Sequence, residues 1–272
     1  MIPTDTIDTL AGCWQSISTL GAELSEAEWK RATDLPGWTV QDNLSHLVGI
    51  ERMMQGLPAT EHRLVEAPDY IRNPIGEANE REVDSRRSLT GAQVLAEWND
   101  LTSVRLETLR AGDEAYFARE MMNPTGMGTL ADFLHIRVLD CWLHEQDMRR
   151  AAGKAGNLSG AAAEHTVDRL IRTIPIVVGK RAGTPEGGAV VIDITDEPAH
   201  SGVLRHIVCE VQDGRAKSIG EPTKAPLVTI TLSTEAFVVL AAGRRTADAV
   251  PATVEGDAEL AAKVLGSFNM MI

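Results

Sequence analysis

The chain has 272 residues, 43% hydrophobic and 24% charged, a globular balance with enough material for one large domain or two ordinary ones. Its 26 basic against 39 acidic residues give a net charge of −13, which disfavours phosphate backbones and anionic membranes, so neither nucleic acid nor membrane is an expected partner. Aromatic residues make up only 4%, so the core must rest on Leu, Val, Ile, Ala and Met. No apolar run reaches bilayer length, and the opening Met1 to Asp8 carries early acids without the basic stretch of a signal peptide. The three cysteines, Cys13, Cys141 and Cys209, are dispersed and form no Cys-x-x-Cys pair. A cytoplasmic protein with reduced thiols is expected, in which any metal must rely on His and carboxylate.

In chain order, Thr4 to Leu20 carries Ile7, Leu10, Ala11, Trp14, Ile17 and Leu20 at helical period. Leu24, Ala27 and Trp29 suggest a short second turn. Pro36-Gly37 breaks the chain, and Thr39 with Asp42 predicts a capped helix from Val40 to about Gln55, stopped by Gly56. Leu57 to Arg87, polar and punctuated by Pro58, Pro68 and Pro74, reads as a surface loop. Ala92 to Arg110 resumes a helix, and Arg119 to Gly128 reads as a second loop. Thr129 with Asp132 repeats the cap and opens a helix from Leu130 to about Ala152, ended by Gly153. Four main helices imply a bundle. After about residue 155 the character changes. Ser159 to Val178 reads as helix, Ala189–Ile194, Leu204–Val211 and Leu227–Leu232 as strands, and Thr234–Ala242 and Asp257–Phe268 as helices. Asp213-Gly214 signals a hairpin. The expected organisation is a helical bundle over residues 1–155 and an α+β domain over 156–272.

The residues that carry chemistry lie on two of the helices. Asp140 and His144 stand four apart, on one helical face, and can share one ion. His46 from the second helix would complete three protein ligands and leave a coordination position open, the pattern of a catalytic metal site. The competing reading is an i, i+4 electrostatic pair on a solvated face. Against it, Leu139, Cys141, Trp142 and Leu143 crowd the same stretch, and a buried Asp needs a partner. Both readings stand at this level. His144-Glu145-Gln146-Asp147-Met148 lacks the second histidine of the zinc-protease motif, and Gly126-Met127-Gly128 lacks the strand and third glycine of a dinucleotide fingerprint. That loop could still hold an anionic group where it opens a helix. Asp147, Arg149 and Arg150 read as surface charges, Cys141 as a packing residue, and His135, His165, His200 and His206 as structural or exposed.

The stretches Leu35-Pro36-Gly37-Trp38-Thr39-Val40-Gln41-Asp42-Asn43-Leu44-Ser45-His46 and Asp140-Cys141-Trp142-Leu143-His144-Glu145-Gln146-Asp147 resemble the mycothiol-dependent maleylpyruvate isomerase family. Its N-terminal part is a DinB-like four-helix bundle. Thr234 to Arg244 and Val254 to Ala261 resemble that family's sterol-carrier-like C-terminal domain. The resemblance implies zinc, or another divalent metal, held by His46, Asp140 and His144. The family pattern has Glu where this chain has Asp140, a carboxylate shorter by one methylene. A functionally important arginine of the C-terminal domain would fall on Arg244, with Arg245 its neighbour and rival.

The partners so implied are a low-molecular-weight thiol, mycothiol, and a small electrophilic molecule; oligomeric state is not encoded in any motif. Metal coordination ionises a thiol near neutrality. The thiolate would add to an activated cis double bond, the adduct would rotate, and elimination would give the trans isomer. Without elimination the same machinery is a thiol S-transferase. Arg244 would hold a substrate carboxylate or a developing enolate. The same three ligands would also suit a hydrolase using zinc-bound water, and a metal-stabilised, non-catalytic ligand-binding protein is the remaining alternative.

Overall fold

Threonine caps set where the bundle helices begin. In the computed structural model, which describes residues 1–124, 126–196 and 202–271, Thr39 accepts from the backbone N–H of Asp42 while the Asp42 carboxylate accepts from that of Thr39. Thr129 and Asp132 do the same. Each pair satisfies two otherwise orphaned donors at a helix start. The chain divides into two compact units, Met1–Ala163 and Glu164–Ile272.

The first unit contains α1 (Thr4–Ala22), α2 (Glu26–Trp29), α3 (Val40–Met54), α4 (Pro74–Asp84), α5 (Gly91–Ala111), α6 (Glu114–Phe117), the strands β1 (Glu120–Asn123) and β2 (Gly126–Thr129), and α7 (Leu130–Ala152). Four long helices make the bundle: α1 and α3 each pack against both α5 and α7. Buried Leu10, Ile17, Leu44, Leu47, Val94, Leu109 and Val138 fill it, with Trp14 and Trp98 meeting edge to face at 6.3 Å between ring centres. The C-terminal half of α7 is unusual. Every residue from Cys141 to Met148 is buried, including His144, Glu145, Gln146 and Asp147. Four successive polar side chains have therefore been taken out of water and must find partners inside.

Two stretches expected as loops are ordered. Within Leu57–Arg87, Asn73 caps Gly76 and Pro74 occupies the first turn of α4. Proline interrupts a helix interior but suits its first turn, where no N–H is needed. The helix has few apolar residues and is anchored mainly through Glu80 and Val83. Gly49 lets α4 approach α3, since a Cβ there would lie 2.8 Å from the Glu82 Cβ. Within Arg119–Gly128, β1 and β2 form an antiparallel hairpin with Asn123 opposite Gly126; Thr125 lies outside the described residues.

The second unit holds a five-stranded sheet in the order β5-β4-β3-β6-β7. Its strands are β3 (Ala189–Thr195), β4 (Val203–Gln212), β5 (Arg215–Ile219), β6 (Val228–Ser233) and β7 (Thr253–Gly256). All neighbours are antiparallel except β3 and β6. Asp213 and Gly214 both have positive φ, 56° and 73°, the two-residue turn expected between β4 and β5. Helix α8 (Ala161–Ile171) is shorter than the expected Ser159–Val178, and a π-helical turn follows at Ile176–Arg181. Helices α9 (Thr234–Ala241) and α10 (Ala258–Gly266) pack on β6. Phe237 and Phe268 meet edge to face at 5.8 Å. Together the units give the fold class expected, a helical bundle followed by an α+β domain. Among the described residues no helix is long and apolar enough to cross a membrane.

Candidate metal centre

Helical period places Arg137, Asp140, His144 and Asp147 on one face of α7, and Asn43 and His46 on one face of α3. Where these faces meet, His46, Asp140 and His144 each offer a ligand atom, and the three atoms lie within 4.8 Å of one another. The Nε2 of His46 is 3.5 Å from Asp140 Oδ2, and the Nε2 of His144 is 3.4 Å from Asp140 Oδ1. The two imidazole rings are 4.7 Å apart between centres. Trp38 lies beside both, 5.4 Å from the His46 ring and 5.9 Å from that of His144. Its indole N–H donates to Glu80 at 2.9 Å, and Glu80 also receives Tyr70 and Arg87, each at 2.8 Å.

The electrostatics suit a cation. Burial penalises a charge on Asp140, but His46 and Arg137 beside it outweigh that and hold its carboxyl well below the ordinary carboxylate range. Burial pushes the His46 imidazole below its ordinary pKa of 6.5, against the opposing pull of Asp140. An ionised carboxylate and a neutral imidazole are the states that bind metal. Two imidazoles and one carboxylate without a thiolate form a donor set suited to zinc and other borderline divalent ions. By these criteria the three residues fit such an ion.

The surrounding shell escaped sequence reasoning. Arg137 pairs with Asp140 on one side and with Glu51 at 2.8 Å on the other. Asn43, fully buried, meets His144 Nδ1 at 2.7 Å. The only signal for these residues was helical spacing, Arg137 three before Asp140 and Asn43 three before His46. Asp147 and Arg150 are not surface charges as expected. Asp147 is 1% exposed and pairs with Arg150, which also reaches Asp34 at 3.0 Å. Arg149 is occupied by Glu145 at 2.7 Å. Cys141 and Cys13 are buried, and burial drives both thiols up, Cys13 to about 12. Neither is primed as a nucleophile.

His206 is exposed and pairs with Asp193 at 2.6 Å; His200 lies outside the described residues. Arg244 belongs to the second unit, on the turn that ends α9, half-buried, its guanidinium donating to the Ala242 carbonyl at 2.9 Å. Arg245 beside it is exposed. In the first unit a cavity of about 290 Å³ opens on His46, walled by Gly49, Ile50, Met53, Leu57 and Ala78 among others.

A DinB-like bundle that gathers two buried histidines and a half-buried carboxylate at one point, followed by an α+β domain, defines the class. The family model described as the mycothiol maleylpyruvate isomerase N-terminal domain matches residues 10–149. The chain belongs to the mycothiol-dependent maleylpyruvate isomerase family. Among solved structures it is similar to the mycothiol-dependent maleylpyruvate isomerase at 19% identity, with a TM-score of 0.55 over 93% of each chain. A histidine-to-alanine mutant of a mycothiol-dependent maleylpyruvate isomerase matches at 20% identity, with a TM-score of 0.54 over 93% of each chain. These likenesses carry the fold. No curated protein sequence matches the chain.

Proposed function

We propose that the chain is a metal- and mycothiol-dependent enzyme acting on a small electrophilic acid, as a cis-trans isomerase of the maleylpyruvate type or as a thiol S-transferase. His46, Asp140 and His144 are its metal ligands and zinc the fitting ion. The observation that carries this reading is the meeting of two buried imidazoles, through their Nε2 atoms, with opposite oxygens of one partly exposed carboxylate, 3.5 and 3.4 Å away.

When bound, the ion lowers the pKa of a coordinating thiol so that it is ionised near neutrality. The chain's own residues do the rest. Arg137 keeps Asp140 charged, and burial keeps His46 neutral and available. Trp38, held by its hydrogen bond to Glu80, covers one side of both histidine rings, and the lower dielectric there strengthens the charge interactions. The cavity on His46 is mostly apolar and of a size for the body of a small ligand. Arg244 is assigned the substrate carboxylate, a role its planar guanidinium suits. The buried protein thiols leave the nucleophile to come from the cosubstrate.

The test is turnover of a cis-configured electrophilic acid by the metal-loaded protein, with and without mycothiol. Turnover that needs the thiol supports the reading, and the product, trans isomer or thioether, tells isomerase from transferase. Equal turnover without thiol would favour hydrolysis by zinc-bound water.

A further inference from the structure

The hydrogen-bond network behind His144 fixes which of its ring nitrogens carries the proton. The Asn43 amide nitrogen donates to the Thr39 carbonyl at 2.9 Å and to the Thr33 hydroxyl oxygen at 3.3 Å. The Thr39 carbonyl can only accept. Thr33 spends its own hydrogen on the Trp38 carbonyl at 2.9 Å, so its oxygen is left to accept from Asn43. The amide therefore cannot be turned over, and its oxygen faces His144 Nδ1 at 2.7 Å. An amide oxygen has no hydrogen to give, so Nδ1 must carry it. Asp147, whose carboxylate lies 3.6 Å from the same nitrogen, favours that proton further. In the neutral ring Nε2 is then a bare lone pair, and it faces Asp140 Oδ1, a second lone-pair atom, at 3.4 Å.

We infer that Asn43 is a positioning residue that holds His144 as its Nδ1–H tautomer and presents Nε2 to a divalent cation shared with Asp140. The inference rests on the metal-site reading above and adds to it the residue that makes the site ready before any ion arrives. A histidine held in this way spends no free energy choosing a tautomer or ring orientation when the ion binds, and losing such a partner typically weakens metal affinity about 10- to 100-fold.

Two measurements on the full chain test this. The first is nitrogen NMR of the imidazoles in the metal-free wild type at pH 8, with His144 assigned by its absence from His144→Gln. The expected spectrum shows a protonated Nδ1 and a bare Nε2 for His144; a proton on Nε2 would overturn the inference. This readout needs no variant of Asn43 to fold. The second is zinc affinity by chelator competition for Asn43→Leu, which keeps the shape and removes the acceptor. A fall of about 10- to 100-fold is expected, with the His144 tautomer preference relaxed in the metal-free variant. Wild-type affinity in a folded Asn43→Leu would overturn the role of Asn43 while leaving the metal site standing. No zinc uptake by the wild type itself would remove both.

Discussion

Arg137 and Glu51 face each other between α7 and α3, the guanidinium donating through Nε at 3.0 Å and Nη2 at 2.8 Å to the same carboxylate oxygen. Both side chains are buried, and the guanidinium also reaches Asp140. Arg105 approaches the other Glu51 oxygen at 3.8 Å. The pair thus links the bundle's packing to the charge state of the candidate metal centre.

Removing Arg137 takes the closest counter-charge from the buried Glu51 carboxylate and leaves it the longer contact to Arg105 at 3.8 Å. Arg137→Met should cost about 3–5 kcal/mol of unfolding free energy in urea. The double variant Arg137→Met, Glu51→Gln should recover a large part of it. Equal losses in the single and double variants would show that shape, not charge, dominates there.

Asp140 can be varied in length and in chemistry separately. Asp140→Ala should lose bound metal, because the two histidines keep no shared carboxylate. Asp140→Glu should still bind one equivalent, since the added methylene restores the longer carboxylate of the family pattern. Metal content after dialysis against a weak chelator reads both.

The pH dependence follows from His46. Burial sets its folded pKa below the ordinary 6.5, so the unfolded chain binds more protons in this window. Its contribution to stability is therefore present above pH 6.5 and is lost as pH falls through the lower, folded value. Asp140, also depressed, has its own window below the ordinary carboxylate value of 3.8. In urea titrations of the metal-free protein between pH 8 and 5, wild type should lose more stability than His46→Gln. Parallel profiles would contradict this assignment.

Trp38 gives an optical handle. Its ring lies 5.4 and 5.9 Å from the two histidine rings, so cobalt bound there should quench its fluorescence. Trp38→Phe should remove that quenching and leave cobalt binding intact. Its structural cost should be about 1 kcal/mol, because Glu80 keeps Tyr70 and Arg87 when the indole N–H is lost.

Local signals made much of this fold legible. Thr39 with Asp42 and Thr129 with Asp132 cap where the spacing said they would, and Asp213-Gly214 turns the chain as a hairpin should. The i, i+4 spacing put Asp140 beside His144. What brings His46 to them is the packing of α3 on α7, which no spacing within either helix contains. The shell is more distant still. Asn43 meets His144 across 101 residues of chain and Glu51 meets Arg137 across 86, so neither pairing leaves a local trace. Helix α4 was hidden for a different reason. Its apolar face is sparse, and Pro74 signals a break as readily as a first turn.

Whether His46, Asp140 and His144 hold a metal is decided by the metal content of the purified protein, measured for wild type, His46→Ala and His144→Ala after the same preparation, with folding checked by circular dichroism. One divalent ion per wild-type chain is expected, and its loss from both folded variants. Unchanged metal content in the two variants, or none in the wild type after exposure to zinc, would contradict that assignment.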